Sequence, residues 1–190
     1  LTRYFAHDSH SLISILGSNI NTYSQKELIE AFLYVPQKGF FFAGTVRENL
    51  MYGLSSKVSD KKLIEALRSV CLYDSLAATV KDKKLADVDD IDKAVLDYVI
   101  GEGGVGLSGG EGQRLSLARV FLRSPRVFVF DESTTGLDGN TAEKVLTNIE
   151  NYAGSVGAGI IYISHDERVV NRCKHVIKLD NKLKTTVKAA

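Results

Sequence analysis

The stretch Leu107-Ser108-Gly109-Gly110-Glu111-Gly112-Gln113-Arg114, followed after a gap of twelve residues by Val127-Phe128-Val129-Phe130-Asp131-Glu132, decides the fold. In the first piece, Ser108 with Glu111 three residues on is a capping box, and it opens a helix over Gly110 to Leu122. The start of a helix presents unpaired N–H groups and the positive end of a dipole, which suits a phosphate, and the glycines allow close backbone approach. Taken alone, Ser-x-x-Glu reads as an ordinary helix cap; the flanking Leu107, Gly110, Gln113 and Arg114 make it more than that. The second piece is a continuous apolar run that ends in two acids, the pattern of a buried strand.

Working outward, the second half alternates strand and helix. Helix is predicted over Thr141 to Tyr152 and Glu167 to Cys173, and strand over Ile160 to Ile163 and Val176 to Leu179, with a final turn at Asn181. In the first half, Ser11 to Leu16 reads as a strand and Gln25 to Phe32 as a short helix. Leu33-Tyr34-Val35, stopped by Pro36, reads as a buried strand. A helical region begins within Thr45 to Tyr52. Apolar residues at helical spacing predict helices over Asp60 to Cys71 and Ile91 to Ile100, with the charged stretch Val80 to Asp90 between them as loop. Strands alternating with helices imply βαβ units and a parallel sheet. Near-continuous apolar strands are expected where both sheet faces are covered.

Ligands of open parallel sheets bind beyond the carboxyl ends of the strands. Three predicted strands end there in polar residues: Gln37, the pair Asp131 and Glu132, and His165. Each alone is a common occurrence; together they place an amide, two carboxylates and an imidazole on one edge of one sheet. Neighbouring strand residues point in opposite directions, so Asp131 and Glu132 divide their work. One carboxylate can hold Mg²⁺ through water, and the other can orient or deprotonate an attacking water. The competing reading is an acidic pair in solvent.

Composition limits the alternatives. An apolar content of 44% and a charged content of 25% are ordinary for a globular chain, and the net charge of +1 lacks the basic footprint of a nucleic-acid binder. Cys71 and Cys173 stand apart without metal-ligand spacing. No run approaches the roughly 18 apolar residues of a membrane helix.

In content and order these pieces resemble the signature motif and Walker B strand of ATP-binding cassette (ABC) ATPases. The resemblance covers nearly the whole chain and implies an α/β, P-loop NTPase-like parallel sheet flanked by helices, with an inserted helical subdomain. Residues 1–37 and 115–190 then form parts of a RecA-like core, and about 38–114 hold the Q-loop, helical subdomain and signature. It assigns Asp131 and Gln37 to Mg²⁺, Glu132 to the attacking water, and His165, in Ser164-His165-Asp166, to the γ-phosphate as the switch histidine. ATP contacts are implied for Gln37, Ser108, Gly109, Gly110, Glu111 and Gln113, and for Asp138 of a D-loop (Thr135-Gly136-Leu137-Asp138) that bridges two subunits. Phe40-Phe41-Phe42, Gly44-Thr45-Val46-Arg47-Glu48-Asn49-Leu50 and the X-loop-like Gly101-Glu102-Gly103-Gly104 look like exporter-type cassettes. Ser133 stands where many cassettes carry proline. No lysine follows a glycine, so the Gly-Lys-Ser/Thr of a P-loop is not found. Leu1 to Phe5 resembles the helix after it, and the chain reads as a fragment cut just downstream. The implied partners are the transmembrane domain of an ABC exporter and a second ABC ATPase domain, as homo- or heterodimer, head to tail, at the cytoplasmic face of the cell membrane. The competing classes are a soluble non-transport ABC ATPase and a degenerate regulatory cassette. The first predicts a basic patch or coiled-coil insertion, and the second predicts loss of Glu132 or His165.

Overall fold

A computed structural model describes residues 14–15, 17–84, 90–179 and 185–189. The expected helix at Leu1 to Phe5, most of the strand at Ser11 to Leu16 and the turn at Asn181 lie outside them. At the centre is a three-stranded parallel sheet in the order β3 (Phe32–Val35), β6 (Val127–Asp131), β7 (Gly159–Ile163). Tyr34 stands opposite Val129, Val35 opposite Phe130, and Asp131 opposite Ile163, so the three strands end together. Before the sheet lie a short antiparallel pair, β1 (Ser14–Ile15) and β2 (Ser18–Asn19), and α1 (Gln25–Ala31). After it come α8 (Glu167–Val170) and an antiparallel hairpin of β8 (His175–Leu179) and β9 (Thr185–Ala189).

Between β3 and β6 the chain builds a helical unit: α2 (Val46–Met51), α3 (Asp60–Ser69), α4 (Tyr73–Asp82), α5 (Ile91–Asp97) and α6 (Gly109–Ala118). A short antiparallel pair, β4 (Gly44–Thr45) with β5 (Val99–Ile100), closes its base. Local chemistry sets the helix starts. Ser24 with Glu27, Thr45 with Glu48 and Ser108 with Glu111 each form a complete capping box at α1, α2 and α6. The corner between α3 and α4 passes through Cys71 at a left-handed φ of 55°. Two distant side chains satisfy its carbonyls: Asn148 of α7 (Gly139–Ser155) donates to Ser69 O at 2.8 Å, and Arg114 of α6 donates to Cys71 O at 2.6 Å.

One apolar core runs from the helical unit to the sheet. Leu63, Leu67, Leu96, Leu115 and Phe128 are wholly buried, and the Phe128 and Phe130 rings stack at 6.1 Å. Truncating such a leucine to alanine costs about 2–5 kcal/mol.

The structure corrects the sequence reading at three places. Helix continues through Val80–Asp82, because Tyr73, Leu76, Ala77 and Val80 form a buried stripe along α4. The helix expected over Ile91 to Ile100 stops at Asp97, and Val99–Ile100 pair with β4 instead. The helix expected to Cys173 ends at Val170. Leu33, Val35, Phe128 and Phe130 face the core, whereas on the other face Val129 is buried and Tyr34, Ile161 and Ile163 are 44–50% exposed.

Candidate functional site

The parallel register brings the polar residues at the ends of β6 and β7 together. Glu132 follows β6 at a left-handed φ of 49°, a conformation that costs a non-glycine residue energy and that clusters at functional sites. Its N–H donates to Ile163 O at 2.9 Å, which extends the ladder by one residue while turning the side chain out. The carboxylate then meets His165: Nδ1 lies 2.5 Å from Oε1, and the Thr135 hydroxyl donates to Oε2 at 3.3 Å. The hydrogen bond from His165 holds the Glu132 carboxyl below the usual range, outweighing the small opposing effect of burial. The His165 side chain is 84% exposed, so its other face is open.

Asp131 takes a different partner, as the alternation along a strand requires. The Tyr34 hydroxyl, on the neighbouring strand, donates to Asp131 Oδ2 at 2.7 Å. That bond, followed by desolvation, raises the Tyr34 phenol. Oδ1 receives no hydrogen bond among the described residues. No group of three or more His, Cys, Asp or Glu side chains forms a metal cage among them. A hard carboxylate oxygen on a partly buried Asp131 fits Mg²⁺, which keeps most of its waters and takes one or two carboxylates plus substrate phosphates.

The signature stretch opens α6. Ser108 Oγ accepts from Glu111 N–H at 3.3 Å, and Glu111 Oε2 accepts from Ser108 N–H at 2.8 Å. The other Glu111 oxygen accepts from the Ser75 hydroxyl of α4. Burial opposes the Glu111 charge, but the bonds from Ser75 and Ser108 together outweigh it and lower the carboxyl. The N–H groups of Gly109 and Gly110 donate to no group among the described residues. A side chain at Gly109 would meet nothing within 4 Å, and one at Gly110 would meet only Gly136 O at 3.4 Å. Among the described residues, the end of α6 that suits an anion is therefore bare.

Gln113 faces inward. Its Oε1 accepts from Gly39 N–H at 2.7 Å and its Nε2 donates to Ser133 O at 2.6 Å, so one buried amide joins the loop after β3 to the turn after β6. Gln37, Gly39, Phe41, Gly109, Gly110 and Gly136 line a cleft of about 530 Å³ between these segments. Gln37 is thus beside the signature glycines, and its amide makes no hydrogen bond to the described protein. Asp138 caps α7 by accepting from Thr141 N–H at 3.0 Å, and the side-chain and backbone of Thr141 lower its carboxyl.

Two features were not read from the sequence. Phe41 is wedged between Gly104 and Gly112: a Cβ at either glycine would lie 2.7 Å or 2.5 Å from the ring. Arg119 and Asn49 hold the aromatic segment by its backbone. Asn49 bonds Phe42 N and O at 3.0 and 2.9 Å, and Arg119 donates to Phe40 O and, at 2.7 Å, to Asn49 O. The signal available was a polar pair, Asn49 and Arg119, set in apolar helical patterns.

The profile of the family described as "ABC transporter" matches residues 4–135. Among curated proteins, the chain is 36% identical over 77% of its length to the lactococcin-G-processing and transport ATP-binding protein LagD of Lactococcus lactis. It is 30% identical over 89% to ABC transporter B family member 15 of Arabidopsis thaliana, and 29% over 93% to the transport/processing ATP-binding protein ComA of Streptococcus pneumoniae. It spans 19%, 12% and 22% of those proteins, respectively. Among solved structures, a bacterial Atm1-family ABC exporter with ATP bound superposes with a TM-score of 0.69 at 26% identity, over 86% of this chain and 26% of that one.

Proposed function

The chain belongs to the ABC transporter family, and from that premise we propose that it binds and hydrolyses ATP as the nucleotide-binding domain of an exporter. It works at the cytoplasmic face of the cell membrane, paired head to tail with a second ATPase domain and docked on a transmembrane domain. The observation that carries the hydrolytic part is the Glu132–His165 contact at the ends of two adjacent parallel strands.

Glu132 stays ionised and positioned because His165 donates to it. A carboxyl held low is a weak base, so its larger contribution is to orient the attacking water; phosphoryl transfer relies mainly on positioning and charge stabilisation. In the loaded site His165 would stand between Glu132 and a phosphate oxygen, with one ring nitrogen toward each. Asp131 and Gln37 would hold Mg²⁺, which screens the phosphate charge when bound. The bare N–H groups of Gly109 and Gly110, with Ser108, receive the γ-phosphate of a nucleotide held by the partner domain. Glu111 and Gln113 serve that surface from behind, one by capping α6 and the other by tying it to Gly39 and Ser133. Asp138 fixes the start of α7 at the subunit junction.

Glu132→Gln in the assembled transporter tests this. The amide keeps the shape but cannot take the water's proton, so ATP should still bind while turnover falls by about 10²-fold or more. Parental turnover in Glu132→Gln would remove Glu132 from the chemistry.

A further inference from the structure

Tyr34 and Asp131 stand on the same face of the sheet. Tyr34 is opposite Val129 on the neighbouring strand, and Asp131 comes two residues further along β6, so both side chains leave the sheet on one side. A phenol is long enough to cross that diagonal, and its hydroxyl reaches Asp131 Oδ2 at 2.7 Å. An ionised carboxylate only accepts, so the hydroxyl donates, at the distance of a charge-assisted bond. Tyr34 is 45% exposed. With that access to water the phenol does not need a carboxylate to be satisfied, so the consequence of the bond falls on Asp131.

Asp131 therefore has one oxygen engaged and one left over. Oδ1 receives no hydrogen bond and the carboxylate makes no ion pair among the described residues, whereas the adjacent Glu132 is met by His165. A carboxylate held at one oxygen no longer turns freely about its last bond. Metal ions differ in what they ask of such a ligand. Mg²⁺ demands near-octahedral geometry and takes single carboxylate oxygens while keeping several waters. Ca²⁺ accepts roughly six to eight oxygens in a flexible shell and readily takes both oxygens of one carboxylate. Holding one oxygen back while fixing the other suits the first ion and not the second. Hydrogen bonds to ligating groups commonly set metal affinity by about 10–100-fold.

We propose that Tyr34 is a positioning residue that makes the metal site of this chain selective for Mg²⁺ over Ca²⁺. It holds back Oδ2 of Asp131, and Oδ1 is the atom left for the ion or for one of its waters. The strand β3 thereby serves the site through Tyr34 as well as through Gln37 beyond its end. The inference rests on the ATPase reading and adds the choice of ion. A merely structural contact between the two strands would stiffen the sheet without any preference between ions, and that difference is measurable.

The test uses the assembled transporter loaded with the non-hydrolysable nucleotide AMP-PNP and Mn²⁺, whose EPR signal reports displacement by Mg²⁺ or by Ca²⁺. The quantity read is the ratio of the Ca²⁺ midpoint to the Mg²⁺ midpoint. Tyr34→Phe removes only the hydroxyl and keeps the ring, so folding is retained, which a thermal melt checks. The variant should lower the ratio about tenfold, chiefly by raising the Mg²⁺ midpoint. Its affinity for AMP-PNP in EDTA should stay close to that of the wild type. An unchanged ratio in folded Tyr34→Phe would overturn the proposal. Equal weakening of both ions together with the nucleotide in EDTA would also overturn it and leave Tyr34 a structural contact. A wild-type complex that binds AMP-PNP without Mn²⁺ would sink the inference while leaving nucleotide binding in place. Failure of the wild type to bind AMP-PNP at all would instead remove the ATPase reading, and this inference with it.

Discussion

Replacing Gly112 with alanine pits two effects of known size against each other. Gly112 lies inside α6, where alanine normally stabilises by about 0.5–1 kcal/mol because it loses less backbone entropy. Here the new Cβ would sit 2.5, 3.0 and 3.3 Å from three carbons of the Phe41 ring. The ring cannot simply retreat, since its other side lies against Gly104, where a Cβ would come within 2.7 Å. Overpacking of this kind costs about 1–3 kcal/mol. The difference predicts a net loss of roughly 0–2.5 kcal/mol, or a fall in Tm of about 2–4 °C per kcal/mol for a chain this long. Phe41→Ala removes the obstacle, so in that background Gly112→Ala should stabilise by about 0.5–1 kcal/mol. Urea denaturation of the four proteins gives the coupling directly, expected at about 1–3 kcal/mol. If Gly112→Ala stabilised both backgrounds equally, the wedge would not exist.

The remaining predictions address the ends of helices and strands. The Glu132 carboxyl is depressed in the folded state, so its contribution is present above the unfolded value of about 4.3 and disappears as pH falls through the lower folded value. ¹³C NMR titration should show its midpoint rising toward 4.3 in His165→Ala; an unmoved midpoint would refute the contact. Ser108→Ala breaks a capping box and should cost about 1 kcal/mol, whereas Ser108→Gly should cost only a few tenths. Equal thermal shifts for the two would mean that the cap is not what Ser108 supplies to the fold. Arg172 joins Glu143 and Glu150 of α7, so Arg172→Ala should lower stability by no more than about 1 kcal/mol, given the half-exposed partners. Loss of several kcal/mol in a thermal melt would show that the pair is more deeply coupled to the core.

The sequence carried local and periodic information well and long-range pairing poorly. The cap at Ser108–Glu111 and the strand ending at Asp131 are statements about residues a few positions apart, and both stand in the structure. The meeting of Glu132 with His165 was legible as well, because parallel strands in register bring their ends together. The stripe of α4 was available at Tyr73, Leu76, Ala77 and Val80, but its polar neighbours masked it. Val99–Ile100 continue the apolar period of α5, and only the distant β4 makes them a strand. The inward turn of Gln113 depends on two loops, 74 and 20 residues away, and no local pattern encodes it. The same holds for Arg119 and Asn49, which are 70 residues apart.

The three glycines in Gly109-Gly110-Glu111-Gly112 obey different masters. Gly112 is required by its own fold, because Phe41 occupies the space of a side chain. Gly109 has open space around it and an ordinary backbone, so nothing inside the chain forbids alanine or serine. A randomised library sorted only for well-folded protein should therefore let position 109 drift while holding position 112 to glycine. A second sort for nucleotide-dependent turnover should fix both. The position at which the two sorted populations diverge marks where selection listens to an outside molecule, and it does so before that molecule has been seen bound.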